Sequence, residues 1–421
     1  NNDGLDDFFI GGGKSQSSQL FIQNKKGKFT SEQSDIFKND AIHEDVSAVL
    51  FDANGDNFKD LLVVSGGNEF KGGAPLQPKL YINNQGKFER DTLQFKNIET
   101  NASKVSALDI DNDGDLDISI LSNLLPWQFG KTPSQYIFVN DGRGNFSDAS
   151  LKYGLDFQNS GNVTDIVWVD LNDDTYLDAI VVGYWMPIKI FLNNGDQLLL
   201  QKNTNLEKTN GWWNAIKVND FDNDGDLDLV VNNVNMLPFV YRNNTDSLTS
   251  NNYIKIKLEG EKVNKFAIGS TVKIFHDNTI HVQEQMPSRG FQSSMDYVMT
   301  IGLGAAKVID SLRVIWPDNR TQKWSNVEVN TTLTLNQNEA IELQKPFEPK
   351  KEKTLLTEIS NNNFQKHQEN SYSDFDYEGL INKMLSQEGP ALAVGDINND
   401  GNEDFYIGGA KNQPGVLYLN L

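Results

Sequence analysis

The chain has 421 residues, with 58 acidic side chains against 37 basic ones and a formal net charge of −21. That balance argues against non-specific nucleic-acid binding and adhesion to anionic membranes, which need basic surfaces, and suits a protein that holds cations. With no cysteine and four histidines, disulfides and cysteine-ligated zinc are excluded, and little is left for a transition-metal centre.

Hydrophobic residues at 38% and aromatics at 10% mark a folded chain, long enough for a repeat array plus a second domain. No stretch is apolar for long enough to span a bilayer as a helix. The chain opens on Asn1-Asn2-Asp3-Gly4 with no signal peptide visible and reads as a mature or trimmed piece of something longer. NNDGLDDFFIGGG (1–13) is the remnant of a motif that then recurs at a period of roughly 50–60 residues. The full copies are SAVLFDANGDNFKDLLVVSGG, VSALDIDNDGDLDISILSN, DIVWVDLNDDTYLDAIVVG, AIKVNDFDNDGDLDLVVNN and ALAVGDINNDGNEDFYIGG. Each is an apolar β-rich run, a nine-residue acidic loop and a second apolar run, which predicts strand–loop–strand. An aromatic strand running into an Asn/Gly turn follows each copy: LFIQNKKGKF (20–29), LYINNQGKF (80–88), YIFVNDGRGNF (136–146), IFLNNGD (190–196), VYRNN (240–244) and LYLN (417–420). About four strands per repeat, repeated radially, predict an all-β propeller of four-stranded blades.

In every loop, oxygen side chains stand at positions 1, 3, 5 and 9. The sets are Asp52, Asn54, Asp56, Asp60; Asp109, Asp111, Asp113, Asp117; Asp170, Asn172, Asp174, Asp178; Asp220, Asp222, Asp224, Asp228; and Asp396, Asn398, Asp400, Asp404. Position 7 adds a backbone carbonyl, from Phe58, Asp115, Tyr176, Asp226 and Asn402, and the remnant offers Asn1, Asp3, Leu5 and Asp7. Calcium takes six to eight hard oxygens in a flexible cage, so five or six structural calcium sites are expected. A helical EF-hand is excluded because its twelfth position needs Glu, and here it is Val63, Ile120, Val181, Val231 and Ile407. Solvated acidic turns are the plain alternative, which the shared register of five copies opposes.

Aromatic residues gather in three connecting segments, with Trp127 and Phe129, Tyr184 and Trp185, and Trp212 and Trp213. Trp127, Trp185, Trp212 and Trp213 are candidate ligand-facing residues, for a glycan or a partner's side chains; packing between blades is the competing reading. Between residues 247 and 345 the acidic loop is missing and period-two alternation (Ile254, Ile256, Leu258; Leu312, Val314, Trp316) predicts a small all-β domain. His276 and His281 read as surface residues and Arg289 as a structural salt-bridge partner. Residues 346–372 read as a linker, and 373–421 as a further repeat, either a closing blade or the start of a second propeller.

The repeats (1–246) resemble FG-GAP/VCBS propeller repeats. AIGSTVKIF, RGFQSSMDYVMTIGLG and DSLRVIWPDNRTQKW resemble the ASPIC/UnbV domain of cartilage-acidic-protein-like proteins. The order of repeat, ASPIC/UnbV and repeat is similar to that of secreted or outer-membrane proteins of Bacteroidetes-type bacteria. The resemblance implies an extracellular, cell-surface or outer-membrane-associated location and a non-catalytic binding or scaffold role accessory to nutrient uptake or protein assembly. The implied partner is an envelope protein, such as an outer-membrane transporter, or a glycan, with no nucleic acid and no transmembrane segment. A calcium-dependent polysaccharide lyase and an adhesion or matrix protein stand as alternatives. No nucleophile elbow, zinc motif or His-centred cluster supports the enzyme.

Overall fold

The computed structural model describes residues 5–32, 34–202, 204–277, 279–287, 294–340, 342–343, 365–366, 368–369, 371–377, 386 and 390–420. The chain is all-β and divides into two compact units, Asn1–Glu348 and Pro349–Leu421. Most of the expected linker, together with Asn1, Asp3 and Arg289, lies outside the described residues.

The first unit begins with five antiparallel blades. The first is β1 (Phe8–Ile10), β2 (Gln19–Gln23) and β3 (Phe29–Glu32). The second is β4 (Asp45–Phe51), β5 (Asp60–Ser65), β6 (Lys79–Asn84) and β7 (Lys87–Arg90). The third is β8 (Ala102–Leu108), β9 (Asp117–Ser122), β10 (Tyr136–Val139) and β11 (Ser147–Asp148). The fourth is β12 (Asn162–Val169), β13 (Asp178–Met186), β14 (Lys189–Asn193) and β15 (Leu198–Leu200). The fifth is β16 (Gly211–Asn219), β17 (Asp228–Asn233) and β18 (Phe239–Tyr241), and pairing of the end of β13 with the start of β16 joins it to the fourth in one seven-stranded sheet. Four strands per repeat thus hold in the middle three. β1 corresponds to the second strand of the others, and the fifth blade stops at its third strand because the chain leaves it for the next domain.

The blades stand side by side in chain order, with β4 against β8, β8 against β12 and β12 against β16. β5 and β9 are buried at every residue. A neighbouring blade covers each of their faces, which is why LLVVS and ISILS are unbroken apolar runs rather than alternating ones. Leu62, Val64 and Leu80 pack on Val105, Ile118 and Phe138, Leu121 and Ile137 on Val163 and Val181, and Ile180 and Val182 on Trp213 and Val231. No blade buries both faces alone, so a core truncation such as Ile118→Ala, at 0% exposure, costs roughly 2–5 kcal/mol and is felt by two blades.

The next domain is a two-sheet sandwich. One sheet holds β19 (Asn252–Glu259), β22 (Val298–Gly304) and β25 (Thr331–Asn336). The other holds β20 (Thr271–His276), β21 (Thr279–Glu284), β23 (Val308–Ile315), β24 (Arg320–Glu328) and β26 (Glu342–Leu343). The alternating Ile254, Ile256 and Leu258 meet Leu312, Val314 and Trp316 in its core, as their period predicts. His276 and His281, expected at the surface, are both buried, their Nε2 atoms 3.0 Å apart. Both point to the inner side of the β20–β21 hairpin, where burial pushes His281 down to about 4 and keeps it neutral near pH 7.

This sandwich lies over the ends of the blades that carry the acidic loops. The Gly304 amide donates to Asp173 O at 2.8 Å, Lys59 pairs with Glu284, and Lys255 pairs with Asp220. Two glycines permit the approach. A Cβ on Gly302 would stand 1.9 Å from Asp170 Oδ2, and one on Gly225 would stand 2.1 Å from the Tyr253 ring. A cavity of about 160 Å³ lies between β4, β8, β12 and β16 on one side and β21 and β22 on the other.

In the second unit, β27 (Leu392–Gly395), β28 (Asp404–Ile407) and β29 (Val416–Tyr418) form an antiparallel sheet with the same strand–loop–strand start.

Candidate metal centres

All five full loops fold alike. Position 4 is left-handed in each, at Gly55, Asn112, Asp173, Asn223 and Asn399, with φ between 55° and 77°. Position 6 is left-handed too, at Asn57, Gly114, Thr175, Gly225 and Gly401. These are residues that tolerate or hydrogen-bond in that conformation, with Thr175 the exception. Two such residues curl the loop so that positions 1, 3 and 5 converge. The position-5 carboxylate accepts the position-7 amide in every loop: Asp56 from Phe58, Asp113 from Asp115, Asp174 from Tyr176, Asp224 from Asp226 and Asp400 from Asn402.

The position-9 carboxylates do a second job. Asp60, Asp117, Asp178, Asp228 and Asp404 each accept the position-2 amide of their own loop, at 2.9–3.1 Å. Each also accepts an amide from the third strand's end, namely that of Asn83, Asn140, Asn193, Asn243 or Asn420, at 2.7–2.8 Å. Asp7, in the remnant, accepts the Gln23 amide in the same way, beside Leu5. The strand-end asparagines also tie blade to blade. Asn140 Nδ2 donates to Ala53 O, Asn193 Nδ2 to Ile110 O and Asn243 Nδ2 to Leu171 O, each reaching the preceding blade's loop. The Asn/Gly turn signal had marked only a hairpin; a repeated Asn at the end of each aromatic strand was the trace of this belt.

The loops differ at position 1. Asp52, Asp170 and Asp396 accept loop amides. Asp109 is 2% exposed, and neither of its oxygens has a partner; one oxygen each of Asp111 and Asp115 is likewise buried and unpaired. Ligand oxygens of Asp109, Asp111 and Asp117 lie within 4.8 Å of one another, as do those of Asp220, Asp222 and Asp224. Burial, followed by the neighbouring carboxylates, pushes Asp109 up to about 8. Burial also lifts Asp117 to about 8 and Asp115 to about 7, and raises Asp111. Buried, unpaired and mutually repelling carboxylates are a donor set that a bound cation would satisfy. An all-oxygen cage with flexible backbone suits calcium, and Asp109, Asp111, Asp113 and Asp117 with the Asp115 carbonyl would hold it.

The fifth blade's loop is partly neutralised by the protein itself. Lys255 pairs with Asp220, and Arg242 contacts Asp222 and Asp224 at 2.9 and 2.8 Å. Lys273, also from the sandwich, donates to Gly114 O at 3.4 Å beside the third loop. Trp127, Trp185 and Trp212 are exposed, whereas Trp213 is fully buried, its Nε1 donating to Met186 O at 2.8 Å. Trp213 is therefore not ligand-facing: successive strand residues point to opposite sides, and its side is the interface with the fourth blade.

These features define a β-propeller-like repeat protein of the binding or scaffold class. The FG-GAP-like repeat family matches residues 1–63, 52–120 and 170–231, and the ASPIC and UnbV family matches residues 260–342. The chain carries FG-GAP-like repeats and an ASPIC and UnbV domain. No curated protein matches it. Among solved structures, a chain of the Photorhabdus luminescens Tc holotoxin pore is similar, with 16% identity and a TM-score of 0.26. That match covers 56% of this chain and 10% of the toxin chain, a likeness too remote to bear on the fold. Among the described residues, no helix is long and apolar enough to cross a membrane.

Proposed function

We propose that the protein is a non-catalytic, calcium-stabilised binding or scaffold module of the cell envelope, facing outward and serving surface nutrient uptake or protein assembly. Asp109 carries the calcium part: a sealed carboxylate with two unpaired oxygens, inside a loop whose register repeats four more times. The cation's role is structural, because each loop joins the first and second strands of a blade and its position-9 carboxylate ties that loop to the third strand. The envelope location rests on the pairing of the two families and on a composition that permits it.

Supporting the non-catalytic part is the fate of an arrangement, among the described residues, that looks like a hydrolytic triad. Ser65 Oγ lies 3.2 Å from His43 Nδ1, whose Nε2 is 3.7 Å from Asp40, and Lys79 Nζ is 3.1 Å from the same hydroxyl. Ser65 and Lys79 are each 1% exposed, so no substrate reaches them in this conformation. The set ties the second blade together. Elemental analysis of desalted protein, paired with melts in calcium and in chelator, tests the proposal. Bound calcium and a lower melt in chelator are expected; a calcium-free chain whose melt ignores chelator overturns it.

A further inference from the structure

The acidic ends of the blades are covered by the sandwich domain, so recognition falls to the opposite ends. There the chain leaves exposed a continuous aromatic and aliphatic track. Its first member, Trp127, is 63% exposed and is pinned from both sides by Asn68, which accepts from its Nε1 at 2.9 Å and from its amide at 3.0 Å. Phe129 follows and meets Trp185 edge to face at 5.1 Å. Trp185, 55% exposed, meets Trp212 edge to face at 4.8 Å. The end of β13 pairs with the start of β16, which sets Tyr184 opposite Trp212. The Trp212 carbonyl then accepts the Val234 amide at 3.1 Å, leading to exposed Met236 and Leu237.

Trp127 and Trp185 both hold left-handed backbone, with φ of 61° and 53°. Bulky residues avoid that conformation, and strain of this kind collects where a surface is used. At the Trp127 end, the carboxylates of Glu44 and Glu69 close on Gly67, next to the asparagine that pins the indole. Burial, then repulsion from Glu69 and a hydrogen bond with it, raises the Glu44 pKa, and nearby Lys14 lowers it.

We infer that this track is a docking surface for a basic polypeptide segment carrying apolar anchor residues. Local charge gives the sign of the partner, since the head of the track carries two carboxylates, Glu44 and Glu69, against the single lysine Lys14 that acts on Glu44. Side-chain chemistry decides against a sugar: the edge-to-face contacts at 81° and 80° tie Trp185 to its neighbours, and Val234, Met236 and Leu237 offer no side-chain hydrogen bonds. Exposed Trp and Met beside half-buried Tyr184 in one patch is the composition of protein interface cores. The inference deepens the binding-module reading and rests on it.

The test pans phage-displayed random dodecapeptides on the full chain in calcium, then measures enriched peptides by fluorescence polarisation. The variants are Trp127→Ala, Trp185→Ala and Glu69→Gln, with an oligosaccharide array and phosphatidylglycerol vesicles as parallel probes. Enriched peptides should combine Lys or Arg with Leu or Phe. Trp185→Ala should weaken them about tenfold or more, and Glu69→Gln should flatten their salt dependence. The inference is overturned by the absence of enrichment, by peptides that bind all variants alike, or by glycan or vesicle binding lost in Trp185→Ala. Melts of each variant in calcium and chelator keep the two readings apart. An unchanged, calcium-dependent melt with unchanged peptide binding sinks the docking surface alone, and a melt indifferent to chelator sinks the calcium reading alone.

Discussion

Replacing Asp109 by Asn should change stability in opposite directions with and without calcium. The side chain keeps its shape and loses its charge. Asp109 is 2% exposed with both oxygens unpaired, and its pKa stands at about 8, so at pH 8.5 it is largely ionised. Removing an unsatisfied buried charge relieves a penalty of about 1–3 kcal/mol, so the chelated variant should be more stable than wild type. In calcium the same change removes a ligand. At tenfold over the dissociation constant a filled site adds roughly 1.4 kcal/mol, and the variant forfeits most of it. The control is Asp117→Asn. Asp117 accepts the Ile110 and Asn140 amides at 3.0 and 2.8 Å, and an amide in its place sets a donor against a donor. That variant should lose about 1–3 kcal/mol in chelator and more in calcium, because Asp117 is also one of the ligands, so unlike Asp109→Asn it destabilises in both media. Urea unfolding of the three proteins at pH 8.5, in calcium and in chelator, measures all six stabilities. If Asp109→Asn shifts stability the same way in both media, the loop is an ordinary acidic turn and the metal argument is wrong.

The pH dependence should also split. Asp109 and Asp117 titrate near 8 and Asp60 and Asp115 near 7, against about 3.9 unfolded, so the metal-free folded chain binds extra protons across roughly pH 4–8. Its stability should fall as pH rises through that window, while the calcium increment grows because ligands must ionise; melts at pH 5.5 and 8.5 should converge at the acid end and diverge at the alkaline one. Thr175 holds φ 91° where Gly114, Gly225 and Gly401 stand in other loops, so Thr175→Gly should raise stability by up to about 1 kcal/mol in urea unfolding. Lys255→Met should destabilise the chelated chain by leaving buried Asp220 without its cationic partner, only the Gly225 amide still donating to it, and should raise calcium uptake in a titration. Gly302→Ala drives a methyl into Asp170, so limited proteolysis should cut between the sandwich and the blades faster than in wild type.

Much of this molecule is written in short-range chemistry. The acidic loops were legible because Gly, Asn and Asp at positions 4 and 6 dictate left-handed turns, and alternate oxygens then converge without help from the rest of the chain. The sandwich core was legible from period-two alternation at Ile254, Ile256 and Leu258, a property of any strand with one buried face. The run LLVVS was legible as a strand, and its burial on both sides came with the neighbouring blades. Which Trp of the 212–213 pair faces outward was not legible, because alternation says only that the two differ, and the neighbouring blade decides which one is covered. The same holds for His276 and His281, whose hairpin gains its cover from packing.

Two features belong to the tertiary structure alone. Lys255 reaches Asp220 across 35 residues, and Glu284 reaches Lys59 across 225. Nothing in either stretch marks its partner, since the pairing is created only when the sandwich settles over the blades. The sequence by itself determined the repeat, its turns and its donor sets, because each depends on backbone conformations of adjacent residues. The fold decided that the acidic ends are covered and the aromatic ends are free, because that depends on surfaces distant in the chain meeting in space.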